Sequence, residues 1–394
     1  MPDDVVIVGA GPAGARAGFV LASRGAQVTI VDASHPREKP CGGGVTGRAL
    51  ALVADALDAA DCPVSVIRSA RFTDAGGRRS AVVALDDHGV SADSALLVAD
   101  RATFDAALLA AAQRAGAVLD RSRVTNVTVD AGGATLETTG GMRRASFVIG
   151  ADGANSLVRR RVATPFRRDQ LSIATGFFAH GVTSDEIVIE LTSDPAGYIW
   201  SFPRPTHLAI GICAQADAGV TAEALRARTS RWMATTGIAD GARLEPYSWP
   251  IPSLGASDFD TAALGGPRWA LAGDAAGLVD PITREGIYFA LASGQWIADA
   301  LSDGGGARRY EERVRDDAMT ELAGAARLKA GFFRPAFTGL MMRALQESRA
   351  IREVMADLVA GRQPYGSLKW RLLRTLEWRL AAKALSISVR RAPL

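Results

Sequence analysis

The stretch that decides the fold runs Val5-Val6-Ile7-Val8-Gly9-Ala10-Gly11-Pro12-Ala13-Gly14, continues Ala-rich to about Arg24, and resumes as Gln27-Val28-Thr29-Ile30-Val31-Asp32-Ala33. Four consecutive β-branched residues read as a buried strand, the alanine-rich segment as a helix, and the second apolar run as a strand beside the first. The Gly9-x-Gly11-x-x-Gly14 pattern falls between strand and helix. There it permits a tight turn and close backbone approach to a pyrophosphate, whose charge the free N–H groups and positive dipole end of the helix stabilise. Asp32 closes the next strand at the spacing of an acid that accepts hydrogen bonds from an adenosine ribose. Gly9, Gly11, Ala13, Gly14, Asp32 and Ala33 are therefore candidate cofactor contacts. The pattern fits the ADP half common to nicotinamide and flavin dinucleotides and does not choose between them.

Working outward, a loop from His35 to Gly47 holds Pro36, Pro40 and three consecutive glycines, and residues 50–60 read as a helix. Segments 64–98 and 122–149 read as short strands with Gly-Gly turns, separated by a helix over 100–115. Residues 170–250 are strand-rich, with Tyr198-Ile199-Trp200-Ser201-Phe202 alternating so that three aromatics share one face. On pattern alone, packing against another layer explains such a stripe. The sequence predicts a helix near 221–235, a buried strand at Trp269-Ala270-Leu271-Ala272, a helix over 286–301, and mostly helical chain thereafter.

Two later segments separate the cofactors. Gly150-Ala151-Asp152-Gly153 follows a strand, and Leu271-Ala272-Gly273-Asp274-Ala275-Ala276-Gly277 precedes Pro281 and the helix near Gly286. Both resemble the flavoprotein hydroxylase and reductase superfamily. The resemblance implies that Gly273, Asp274, Gly286 and Ile287 hold the FAD ribityl and pyrophosphate. It also implies that Asp152 lies near FAD and that Arg101, in Asp100-Arg101-x-x-Phe104-Asp105, contacts it. Within that superfamily, Lys39-Pro40-Cys41-Gly42-Gly43-Gly44 and Tyr198-x-Trp200-x-Phe202-Pro203 resemble the motifs of geranylgeranyl reductases, FAD enzymes that saturate isoprenoid chains. Order and spacing match over roughly residues 4–300. One departure stands out, because Arg284 occupies a place after Pro281-x-Thr283 where that family usually has a small residue. The resemblance gives Cys41, Gly42 and Gly43 a place at the cofactor, and Tyr198, Trp200 and Phe202 a place lining the substrate slot. Cys41, Tyr198 and Trp200 are the catalytic candidates, with the Cys41 thiol delivering or relaying a proton.

Composition narrows the classes. The 394 residues are 48% hydrophobic and 22% charged, ordinary globular values, and a net charge of +3 gives no footprint of a nucleic-acid binder. The charge is uneven, since residues 327–394 carry 14 basic and 4 acidic side chains. Residues 366–385 place Leu368, Leu372, Leu376 and Leu380 along one helical ridge beside Trp370 and Trp378. Such a ridge either packs on the protein or makes peripheral contact with a membrane surface. Cys41, Cys62 and Cys213 contain no CxxC and give neither a disulfide framework nor a thiolate metal site. The histidines His35, His88, His180 and His207 show no metal-ligand spacing and are expected in loops or at the surface, so no metal is expected. No apolar run reaches the ~20 residues of a membrane span. The start at Asp3-Asp4 lacks a secretory pattern. A cytoplasmic protein, peripheral at most on the inner face of the membrane, is the expectation.

The expected fold is α/β with α+β character: a Rossmann-like FAD-binding domain, an inserted antiparallel β-sheet substrate domain, and a C-terminal helical region. The boundaries fall at 1–65, 95–165 and 260–302 for the first, 66–94 and 166–259 for the second, and 303–394 for the third. The expected function is FAD-dependent reduction of carbon–carbon double bonds in a polyprenyl substrate, with NADPH or a reduced electron-transfer protein as electron donor. A flavin monooxygenase of an aromatic or polyketide substrate, and a membrane-docked electron-relay flavoprotein, use the same cofactor motifs. Oligomeric state is left open.

Overall fold

The run Val5–Val8 is buried throughout, as a strand covered on both faces must be. In the computed structural model, which describes residues 3–57, 62–85 and 96–375, the strand Asp3–Val8 lies at the centre of an eight-stranded sheet. Its parallel neighbours are Val28–Val31 on one side and Gly141–Gly150 on the other. Val118–Asp120 and Trp269–Leu271 extend the parallel core outward. The strands Val124–Asp130 and Gly133–Thr138 join it as an antiparallel meander on Gly141–Gly150. Helices Pro12–Ser23 and Ile287–Ser302 pack so closely that a Cβ on Gly294 would lie 2.3 Å from the Ala13 carbonyl oxygen. The chain thus folds as a mixed α/β protein.

A second, seven-stranded sheet has the order Arg243–Pro252, Leu171–His180, His207–Gln215, Ala196–Pro203, Glu186–Ser193, Ser69–Thr73 and Ser80–Ala84. It is antiparallel except where Ser69–Thr73 runs parallel to Glu186–Ser193. One face, with Ile199, Ile210 and Ile212, buries the apolar side of the helix Ala222–Thr236 through Leu225 and Trp232. That helix is capped by the Thr221 hydroxyl, which accepts from the Ala224 N–H, and by Gly237 in the left-handed region. The other face carries Trp200, Phe178 and Tyr247. A small third sheet joins Gly44–Val45, Leu96–Ala99 and Val64–Ile67.

The C-terminal region is helical over Gly306–Val314, Thr320–Phe332, Pro335–Glu347, Arg349–Val359 and Tyr365–Arg374. It is tied to both sheets. The buried Tyr310 hydroxyl donates to the Leu271 carbonyl at 2.6 Å, and Met342, Leu345 and Met355 pack with Phe72, Val83 and Ile187. Three expectations need correction. The described part of the helix read over 50–60 is the short Gly47–Ala51, since the chain turns at Leu52, and residues 58–60 lie outside the described residues. His207 is buried at the start of strand His207–Gln215 rather than in a loop or at the surface, while His35 lies in a loop as expected but is buried there against Asp32. The antiparallel substrate sheet contains one parallel pair. Leu376, Trp378 and Leu380 of the leucine ridge, and His88, lie outside the described residues. Among the described residues no helix is long and apolar enough to cross a membrane.

Candidate active site

The glycine turn is built as its sequence requires. Gly9 has φ 104°, and a Cβ there would lie 2.3 Å from the Ala151 carbonyl oxygen; one on Gly14 would lie 1.9 Å from the Gly9 carbonyl. Strand, turn and helix therefore touch backbone to backbone. Gly11 is different. It is the N-cap of Pro12–Ser23, no side chain caps that helix, and a Cβ would meet only His35 Nε2 at 3.7 Å. The helix N-terminus is left open to a ligand.

Asp32 directly follows strand Val28–Val31, its Oδ2 accepting the Ala10 N–H at 2.9 Å and meeting His35 Nδ1 at 2.8 Å. Burial would raise its pKa, but the hydrogen bond and charge of His35, with the backbone N–H groups, hold the carboxyl far below the usual range. His35 Nε2 stands 3.5 Å from Asp105, and Asp105 takes a two-pronged ion pair from Arg101 at 2.9 and 2.8 Å. Arg101 is wholly buried and stands beside the Cys41 sulfur. A chain of alternating charge thus runs from Asp32 through His35 and Asp105 to Arg101, which stands beside Cys41. Ala33 is exposed beside Asp32. Asp152 serves its own backbone instead, its carboxylate accepting from Ser156 Oγ and the N–H groups of Leu157 and Val158 at the start of Leu157–Val162.

One pocket brings together Cys41, Gly42, Gly43, Arg101, Tyr198, Trp200, Phe202, Asp274, Gly286 and Ile287. Gly273 sits just behind it at φ 58°, where a Cβ would press on Ala13 and Ala290 at 3.2 Å. Asp274 pairs with Lys39 at 3.2 Å. Gly286 is the N-cap of Ile287–Ser302, again with no capping side chain. Cys41 Sγ accepts the Gly43 N–H at 3.3 Å. Phe202 lies flat on the glycine loop, so that a Cβ on Gly42 would be 2.9 Å from its ring. Tyr198 donates its hydroxyl to the Thr283 carbonyl at 2.7 Å, and burial keeps the phenol protonated. Trp200 stacks obliquely on Tyr198, ring centroids 5.7 Å apart, and its buried Nε1 has no partner. Much of the remaining wall is apolar, with Phe72, Leu96, Ile189, Phe332, Met355 and Leu358, while Lys39, Thr46, Arg284 and Glu285 add polar groups to it.

Several residues at this site were not singled out from sequence. Fully buried Arg204 immediately follows the aromatic motif; it donates to the Cys41 carbonyl at 2.6 Å and to Lys39 at 3.3 Å, and pairs with Glu38. Glu38 also accepts the Arg101 and Ala102 N–H groups at 3.3 Å, the free end of helix Arg101–Arg114. Their adjacency to the two motifs was the available signal. Arg284, the departure noted in the sequence, lines the pocket and donates to Ser253 Oγ, which Lys329 Nζ also reaches at 2.7 Å; Ser253 and Lys329 are not among the lining residues.

The geometry defines a dinucleotide-binding redox site with an apolar chamber beside it, and comparison with known proteins agrees. The family described as FAD binding domain matches residues 3–294. The digeranylgeranylglycerophospholipid reductase of Methanothrix thermoacetophila is 31% identical over 363 residues, covering 84% of this chain and 88% of that protein. The menaquinone reductase of Mycolicibacterium smegmatis is 32% identical over 321 residues, 77% of each. A geranylgeranyl bacteriochlorophyll reductase-like protein from Thermoplasma acidophilum superposes with a TM-score of 0.77 at 22% identity, over 95% of this chain and 99% of that one. Flavin-dependent halogenases have the same fold, one with a TM-score of 0.71 at 18% identity. This chain is an FAD-binding oxidoreductase. It belongs to the geranylgeranyl reductase family of these enzymes. The residues present fit FAD, with two uncapped helix N-termini at Gly11 and Gly286 and an open turn at Gly11.

Proposed function

We propose that the protein saturates carbon–carbon double bonds of a prenyl lipid. The observation that carries the reading is the placement of the Cys41 thiol and the Tyr198–Trp200–Phe202 stripe in one apolar pocket with the Gly273-Asp274 and Gly286 segments. Bound FAD, reduced by NADPH or an electron-transfer protein, would supply the hydride. Gly9, Gly11, Ala13, Gly14, Asp32 and Ala33 would hold its ADP half, with Asp152 near by; Gly42, Gly43, Arg101, Gly273, Asp274, Gly286 and Ile287 would hold the rest.

An isolated alkene accepts hydride poorly, so a proton must reach the second carbon in the same close geometry and away from water. Cys41 Sγ would give that proton, and the neighbouring Arg101 guanidinium would offset the charge left on sulfur. Arg204 and the Gly43 N–H fix the thiol's position by holding the loop on either side of it. Tyr198, Trp200 and Phe202 form the slot's rigid wall, and the C-terminal helices close it through Phe332, Met355 and Leu358. The test is anaerobic: the enzyme's flavin is reduced, a prenyl substrate is added, and return of oxidised flavin is followed. Reoxidation with loss of a double bond supports the reading. Reoxidation by oxygen alone, with an aromatic compound gaining a hydroxyl, replaces it with a monooxygenase.

A further inference from the structure

Among the described residues Arg284 is the one non-glycine residue at clearly positive φ, 64°. An L side chain enters that region at a cost, and it persists there only where its surroundings over-determine it. The turn is held in that way. Asp280 Oδ1 accepts the N–H groups of Ile282 and Thr283 at 2.7 and 2.9 Å, the Arg284 N–H returns to the Asp280 carbonyl at 3.0 Å, and the Thr283 carbonyl accepts the Tyr198 hydroxyl at 2.7 Å. The result is a guanidinium set in the pocket wall two residues ahead of Gly286, the uncapped start of helix Ile287–Ser302.

The charged side chains that line the pocket among the described residues are Lys39, Arg101, Asp274, Arg284 and Glu285. Lys39 and Asp274 pair with each other, Arg101 pairs with Asp105, and Glu285 pairs with Arg48. Arg284 differs from all of them. Its guanidinium meets no carboxylate among the described residues: Nη1 donates to the neutral Ser253 hydroxyl, whose oxygen also meets Lys329 Nζ at 2.7 Å, and the buried Nε has no partner. Asp280, the acid nearest in the chain, is held by the N–H groups of its own turn and does not line the pocket. The wall of the cofactor pocket thus carries one uncompensated charge, and it is positive.

We propose that Arg284 tunes the flavin, its charge adding to that of the helix end at Gly286 to stabilise the reduced cofactor and raise its reduction potential. Uptake of two electrons with one proton at N5 leaves negative charge on the N1–C2 edge of the isoalloxazine, and a fixed cation in a largely apolar pocket favours that form over the neutral oxidised ring. A raised potential makes the flavin easier to fill from its electron donor. The inference rests on FAD occupying this pocket and is independent of the prenyl substrate. It also sets this chain apart from the reductases it resembles, which usually carry a small residue after the Pro281-x-Thr283 pattern.

The experiment uses FAD-loaded full-length protein without substrate. Wild type is compared with Arg284→Gly, which suits the backbone at this φ, Arg284→Asn, which tolerates it, and Arg284→Lys, which keeps the charge. The two-electron midpoint potential of the bound flavin is measured by anaerobic spectroscopic titration against a reference dye. Both neutral variants should lie about 30–60 mV below wild type, a 10–100-fold shift in the ratio of reduced to oxidised flavin, and Arg284→Lys should stay near wild type. Neutral variants with the wild-type potential overturn the proposal. A fall shared by Arg284→Lys overturns it too, because the effect is then one of shape and not of charge. If one neutral variant releases its FAD, the other carries the comparison; if both release the oxidised cofactor while Arg284→Lys keeps it, Arg284 holds FAD instead of tuning it and the proposal fails. With no substrate present, this result and that of the anaerobic alkene assay are independent of each other.

Discussion

At the scale of single residues, the site depends on charges that hold one another in place. His35 sits between Asp32 and Asp105, at 2.8 and 3.5 Å. Burial disfavours its imidazolium, but hydrogen bonds to Asp105 and Asp32 outweigh that and raise its pKa above the ordinary imidazole value. A raised folded-state pKa stabilises the fold fully below the unfolded value of about 6.5, and the gain is lost as pH rises through the raised value. Asp32, with its pKa depressed, stays ionised across the same range. The melting-temperature gap between wild type and His35→Gln should thus be widest near pH 6 and close under alkaline conditions; a gap constant from pH 6 to 9 would show that the imidazole is neutral in the fold. Cys41 gives the second prediction here. Cys41→Ser should retain FAD and accept electrons, yet saturate the alkene on the order of 10²-fold more slowly. Undiminished turnover, measured against flavin content, would make the thiol a packing group.

At the scale of elements, glycines separate what packing demands from what the chain tolerates. Alanine at Gly42 would press a methyl group within 2.9 Å of the Phe202 ring, which lacks room to retreat because Trp200 and Tyr198 occupy the same face. Overpacking of that kind costs about 1–3 kcal/mol, and it should displace the Cys41 loop as well. Gly339, inside the helix Pro335–Glu347, has nothing within 4 Å of an added Cβ. Gly339→Ala should stabilise by roughly 0.5–1 kcal/mol, so thermal denaturation of the two variants should shift in opposite directions. The contrast also marks what sequence makes legible. Strand Asp3–Val8, the glycine turn and the Ala196–Pro203 stripe were readable because each follows from local periodicity and a short motif. The helix expected at 50–60 failed because apolar residues there pack beneath the small sheet without forming a continuous helix. The burial of His35 in its loop and of His207 on its strand was not legible because an isolated histidine carries no trace of its distant partners. Arg204 meets the Cys41 loop, and Lys329 meets Ser253 beside Arg284, from separate elements, and only tertiary structure gives those juxtapositions.

For the whole molecule, the question is how a prenyl substrate reaches a pocket closed by C-terminal helices. Those helices belong to the most basic part of the chain, and Tyr365–Arg374 carries Trp370 at 68% exposure beside exposed Lys369 and Arg374. Tyr365, at the start of the same helix, is buried with Ile282, Ala325 and Phe332, so the element that offers an aromatic ring to solvent is anchored against the pocket's own wall. An exposed tryptophan flanked by cations suits the boundary between headgroups and acyl chains, and each cation near an anionic bilayer adds about 1 kcal/mol. We therefore expect reversible docking that depends on acidic lipid and weakens with salt. Flotation with phosphatidylglycerol-containing and purely phosphatidylcholine vesicles tests it on the intact chain, comparing wild type with a Lys369→Glu, Trp370→Ala, Arg374→Glu variant. Wild type should float with the acidic vesicles at low salt and the variant should not. Equal flotation of both, or none by wild type, would mean that the helix only braces the pocket and that substrate arrives by another route.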